Sequence, residues 1–84
     1  MIDLVKTLLA RLADEEIALE DETLQAVVQF LYSENEQIAQ SATSCLFFCG
    51  GRSILDERIR ISKAGMSIPH LDLVRGMKKL CEGK

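Results

Sequence analysis

Apolar residues in this chain recur at intervals of three and four and nowhere alternate over a run. That spacing is the period of an amphipathic helix, not of a half-buried strand. The first stripe, Ile2, Val5, Leu9 and Leu12 with Leu8 beside it, predicts a helix over residues 2–13. The second, Leu24, Val28 and Leu31, is widened by Val27 and predicts a helix over 21–32, with Phe30 off the stripe. Ile38, Ala42, Cys45 and Cys49 predict a third over 34–49. Leu55 and Ile59 on one side, with Ile54, Ile61 and Arg58 on another, predict a fourth over 54–64. Leu73, Met77 and Leu80, with Val74 and Cys81 alongside, predict a fifth over 69–81.

Polar and glycine positions punctuate these stripes. Ser33 followed by Glu36 has the spacing of a capping box at the start of the third helix. Gly50-Gly51 ends that helix, because glycine takes a left-handed conformation without a Cβ clash. Ser53, with Asp56 three residues on, is the expected cap of the fourth. Gly65 ends it, beside Lys63, which suits the negative end of the helix dipole. Met66 to Pro69 reads as a linker, with Pro69 in the first turn of the last helix, where its missing amide costs nothing. Gly76 inside that helix costs about 1 kcal/mol against alanine unless it permits a close contact. Between the first two helices, residues 14–22 read as a loop anchored by Ile17 and Leu19, ending in a cap at Glu20 or Asp21. The short turn after residue 32 makes the second and third helices antiparallel neighbours. The expected fold is all-α: about five short helices packed as antiparallel hairpins, one domain over residues 1–84.

The third helix departs from amphipathicity. Leu46, Phe47 and Phe48 fill the remainder of its circumference near its end. A helix that is apolar all round is covered from more than one side. One source of cover is the domain itself. The other is a second molecule, and on that reading Phe30, Leu46, Phe47 and Phe48 are the candidate partner-binding residues.

Composition changes this picture in three places. A chain of 84 residues buries a smaller share of its surface than a larger one, so a partner is a plausible source of stability. There is no Trp, so the core is aliphatic. The net charge of −3 divides into an acidic block, Asp14, Glu15, Glu16, Glu20, Asp21 and Glu22, and a basic second half carrying Arg52, Arg58, Arg60, Lys63, Arg75, Lys78, Lys79 and Lys84. This is either two solvated faces that attract each other or a field that steers a partner. It is not a nucleic-acid footprint, which needs a high pI and a basic patch interleaved with aromatic residues. The amphipathic start carries Asp3, Lys6 and Arg11 and lacks a small-residue cleavage site, unlike a signal peptide. No stretch has the apolar length of a membrane span. A cytoplasmic location is expected.

Candidate chemistry is sparse. His70 is the sole histidine, and a nucleophilic pair would have to join it to Cys49 or Cys81, which fall on apolar stripes. Neighbouring carboxylates such as Glu15-Glu16 do not face each other on a helix. Gly50-Gly51-Arg52-Ser53 follows a helix and lacks the lysine of a phosphate loop. Cys45, Cys49, Cys81 and His70 have the composition of a tetrahedral zinc site. Yet cysteines one turn apart among Leu46, Phe47 and Phe48 read as reduced core thiols. No enzyme activity, metal or cofactor is expected. Binding is the remaining class, through a concave surface of paired helices that takes an amphipathic helix in its groove. Leu46, Gly50, Leu55 and Ile59 follow a tetratricopeptide-like rhythm.

The order of features resembles the needle-subunit co-chaperones of bacterial type III secretion systems, the YscG and PscG group. The similar residues are Leu8-Leu9-Ala10 with Ala13, then Phe30-Leu31, then Ala39. Leu46-Phe47-Phe48-Cys49-Gly50-Gly51 leads into a turn, and Pro69 and Leu71 precede Leu80-Cys81-Glu82. The resemblance implies a tetratricopeptide-like fold and a cytoplasmic heterotrimer. In it this chain and a second small helical co-chaperone would wrap the needle subunit and stop premature polymerisation. Needle subunits assemble through contacts that do not close, so their apolar helix needs cover until export. A second class of reading is an armadillo or HEAT type scaffold fragment, suggested by residues 35–46, Lys63-Ala64-Gly65 and Ile68-Pro69.

Overall fold

The computed structural model describes residues 2–62 and 68–83. Among these residues there are five helices: α1 (Ile2–Glu15), α2 (Asp21–Leu31), α3 (Glu36–Phe48), α4 (Arg52–Ser62) and α5 (Leu71–Glu82). No strand occurs among the described residues. The expected end of the fourth helix at Lys63 and Gly65, the Met66-Ser67 half of the linker, and the side chain of Ile2 lie outside the described residues.

α3 is the axis of the fold and packs against each of the other four helices. Its directions follow from side-chain bonds. Lys6 Nζ donates to Gln37 Oε1 at 3.1 Å, and Cys49 Sγ donates to the Leu12 carbonyl at 3.2 Å, so α1 and α3 run in the same sense. His70 Nε2 lies 2.6 Å from the Glu34 carbonyl oxygen, and Cys81 Sγ lies 3.8 Å from Ser44 Oγ, so α5 also runs with α3. α2 runs back against them, since Leu24 near its start approaches Gly51 and its end turns into α3 through residues 32–35. α1, α3 and α5 therefore form one parallel row. The molecule measures 32 × 27 × 26 Å, a compact packing of short helices about α3.

The stripes of α2, α3 and α4 supply most of the core that the apolar spacing predicts. Leu9, Leu24, Val27, Val28, Leu31, Ile38, Ala42, Cys45, Cys49, Leu55 and Ile59 are all buried. Each large side chain removed from water in this way contributes about 1.5–3 kcal/mol. Ile68 is buried too and anchors the approach to α5. Thr43, the one polar residue deep in α3 with a bond, donates to the Ala39 carbonyl at 2.8 Å.

Several punctuation marks differ from expectation. The cap of α3 is Asn35, whose Oδ1 accepts from the Ile38 amide at 3.0 Å, while Ser33 Oγ accepts from the Asn35 amide. Asn35 stands two residues closer to the helix and so displaces the Ser33–Glu36 box. Ser53 is no cap, because α4 starts at Arg52, directly after Gly51. Pro69 precedes the helix, with His70 as the cap residue of α5. Glu20 does stand at the cap of α2, but without a side-chain bond. α1 continues to Glu15 and stops at Glu16, which takes a positive φ of 49°. Gly50 ends α3 as expected, at φ 91°, and Gly51 N–H reaches back to the Leu46 carbonyl at 2.8 Å. That long back-bond satisfies a carbonyl the helix leaves open.

Candidate functional site

α5 decides where the site lies. Its apolar residues occupy an arc wider than the core can cover. Val74 and Cys81 turn fully inward, and Ile68 seals the entry. This rotation leaves Leu73 and Met77 half-buried and Leu80 67% exposed. The stripe expected to be the buried face of the fifth helix is therefore its outer edge. Gly76 sits on the same edge, and a Cβ placed on it would meet nothing within 4 Å. The expectation that Gly76 serves a close contact finds no neighbour among the described residues.

Opposite that edge stand Ala10, Ala13 and Asp14 of α1. Between them runs the outer strip of α3, with Gln40, Ser41, Ser44 and Phe48. Together these residues line an open groove of about 700 Å³ along the parallel row. Ser41 and Ser44 in its floor and Ala10 and Ala13 in its α1 wall are small side chains, which let another backbone come close. Its α5 wall is apolar and long. Lys79 stands at its rim, as does Asp14.

The four sequence-derived candidates are placed very differently. Leu46 is wholly enclosed and Phe47 is 5% exposed. The cover that α3 requires at these two positions comes from the chain's own helices, so neither presents surface to a partner. The Arg52 guanidinium lies 4.0 Å over the Phe47 ring, and the Phe48 ring meets it edge-on at 5.1 Å. Phe30 is half-buried, packs on the core from α2 and does not line the groove. Phe48 alone of the four is at the groove. Met77 and Leu80 were visible in the sequence as an apolar stripe. Their exposure was not, because Val74 and Cys81 offer α5 a second stripe and only packing chooses between the two.

The thiols are core groups. Cys45 Sγ lies 3.9 Å from Cys49 Sγ. Burial pushes the Cys45 thiol up to about 12, with the neighbouring Cys49 adding to it. Burial raises Cys49 as well. Thiols held in the protonated form are poor nucleophiles and poor metal ligands. Cys81 and His70 are engaged with Ser44 and Glu34, and no three His, Cys, Asp or Glu side chains among the described residues converge as a metal site. The acidic block of residues 14–22 is solvated, and no ion pair among the described residues joins it to the basic half. No helix among the described residues is long and apolar enough to cross a membrane.

A second exposed apolar pair, Leu4 at 70% and Leu8 at 56%, lies on α1. Leu8 points roughly 200° round the helix from Ala10, so it belongs to the flank away from the groove. No family model matches this chain, and no curated protein or solved structure matches it either.

Proposed function

We propose that this protein is a non-enzymatic binding module that seats an amphipathic helix of a partner protein in the groove between α1 and α5. The observation that carries this reading is the outer edge of α5. Leu80 is exposed, Met77 is half-exposed, and both flank a trough floored by Ser41 and Ser44. A helical guest supplies the missing apolar cover and can approach the backbone at Ala10 and Ala13. In groove recognition of this kind a few anchor contacts carry most of the affinity.

The resemblance in the sequence gives the guest an identity: the apolar assembly helix of a type III secretion needle subunit, held in the cytoplasm until export. Leu4 and Leu8, on the other flank of α1, are then the contact for the second small helical co-chaperone of a hetero-oligomer. Purification of the tagged chain from its native host tests this reading. A needle subunit and a second small helical protein are expected in the eluate, and Leu80→Asp is expected to release the needle subunit alone. If Leu80→Asp stays folded and retains every partner, the groove reading falls. If no needle subunit is bound while another helical protein is lost on Leu80→Asp, the groove stands and the secretion role does not.

A further inference from the structure

α5 carries a second pattern on its outer side. Leu73, Gly76 and Leu80 fall within about 60° of its circumference at 3.6 residues per turn. Leu73 is half-buried, and Gly76 and Leu80 are exposed. A Cβ on Gly76 would meet nothing within 4 Å among the described residues. Glycine in a helix interior is unfavourable, and its use there is to let another backbone approach closely. Asp72 and Lys79 lie together on the flank beside Gly76, about 20° apart. Both are exposed, and neither forms an ion pair among the described residues. Met77, half-buried, lies on the opposite flank, toward the groove.

This face is its own complement when the helix is turned end for end. Leu73 and Leu80 stand three and four residues either side of Gly76, and Asp72 and Lys79 stand four and three. We infer that a second copy of this chain covers it. Two α5 helices pack antiparallel about a two-fold axis beside Gly76. Leu73 of each copy lies against the partner's Leu80, and Asp72 of each lies beside the partner's Lys79. In such an interface every contact occurs twice, so one Asp and one Lys supply two ion pairs. Charges flanking an apolar seam set the orientation of paired helices. α5 has 12 residues, a length of about 18 Å, so the interface is smaller than that of a permanent dimer and the association is reversible and micromolar. The pairing needs the outer edge of α5 and no guest, so it goes beyond the groove reading above.

Sedimentation velocity of the full chain from micromolar to millimolar concentration is expected to show a monomer passing into a dimer. Asp72→Lys alone and Lys79→Asp alone each set like charges against each other at both ends of the pair. At low salt each is expected to weaken the dimer about 10-fold, two surface pairs being lost and reversed. Mixing the two variants restores opposite charges at both ends and should return the parent's association as a heterodimer. Asp72 and Lys79 also suit the poles of their own helix, but a loss there would not be rescued by a second chain. Gly76→Gln fills space that is open within the chain and favours the helix. It should melt no lower than the parent in dilute solution and yet abolish the dimer. A parent that stays monomeric to millimolar concentration overturns the inference. So does a mixture that associates no better than its two components, or a dimer that Gly76→Gln leaves intact, which would run through another face such as Leu4 and Leu8 of α1. Asp72 and Gly76 do not line the groove, so these outcomes are independent of guest capture.

Discussion

Gly51 shows how much one residue determines here. It is buried where α3 passes into α4, and a Cβ on it would lie 2.9 Å from Leu46 Cδ2, 3.0 Å from Leu24 Cδ2 and 3.1 Å from the Leu46 carbonyl oxygen. The side chains could shift, but the carbonyl is fixed by its own bond to the Gly51 amide. Gly51→Ala is therefore expected to destabilise the fold by about 1–3 kcal/mol, the range of an overpacked core, in urea or thermal melts. Gly50 has open space and a positive φ, so Gly50→Ala should cost only the conformational penalty of about 1 kcal/mol. Equal losses at the two glycines would show that the approach to Leu24 is looser than described. The pair was legible in sequence as a helix stop. Which glycine turns and which makes room for Leu24 was not, because the second role depends on α2, distant in the chain.

Cys45 gives a residue-scale prediction with a sign. Its thiol is pushed from 9.0 up to about 12 in the folded protein. Below pH 9 the thiol is protonated both folded and unfolded, and pH has no leverage through this group. Between pH 9 and 12 the unfolded chain releases a proton that the folded chain keeps. Stability should then fall as pH rises, with a slope approaching about 1.4 kcal/mol per pH unit from this one proton. Cys45→Ala lowers stability at all pH values through lost packing, but should flatten that alkaline slope. An unchanged slope in the variant would assign the alkaline loss to other groups.

At the scale of elements, helix existence and the inward faces of α2 and α3 were readable, whereas several helix ends and the rotation of α5 were not. The stripes of α2 and α3 predicted Leu24, Val28, Leu31, Ile38, Ala42, Cys45 and Cys49 as inward, and all are buried. Ends failed where two residues competed for one job. Ser33 and Asn35 both have cap chemistry, and Asn35 holds the Ile38 amide. Asn35→Ala should therefore cost about 1 kcal/mol and Ser33→Ala clearly less, as read by chemical denaturation. The opposite ranking would restore the Ser33 box. α1 overran its expected stop because the residue that ends it is Glu16, at φ 49°, where sequence reading looks for glycine or asparagine. α5 was misread in rotation and not in extent. Its apolar arc contains both Leu73-Met77-Leu80 and Val74-Cys81, and periodicity alone cannot say which one meets α3.

For the molecule as a whole, the decisive matter is what the surplus apolar surface of α3 is for. Sequence alone offered two answers, self-cover or a partner, and the structure divides them by residue. Phe47 is held under Arg52 and against Phe48, on a helix that packs against the other four. Phe48 keeps part of its surface in the groove with Leu80 and Met77. The two adjacent rings should thus separate in experiment. Phe47→Ala is expected to destabilise the fold by about 3–5 kcal/mol, as a large core truncation does, and to lose binding only because it unfolds. Phe48→Ala loses less buried area, and also the edge of the Phe47 ring, so its melting temperature should fall less. Its capture of a helical guest should weaken by 10-fold or more, about 1.4 kcal/mol. Leu80→Ala should go further in that direction, with melting close to the parent and binding lost, since Leu80 is mostly outside the core. Thermal melts and peptide binding on the three variants together decide the assignment. Should Phe48→Ala and Leu80→Ala both bind guests as the parent does, the groove between α1 and α5 is only a surface irregularity. The partner face must then be sought on the Leu4 and Leu8 flank of α1.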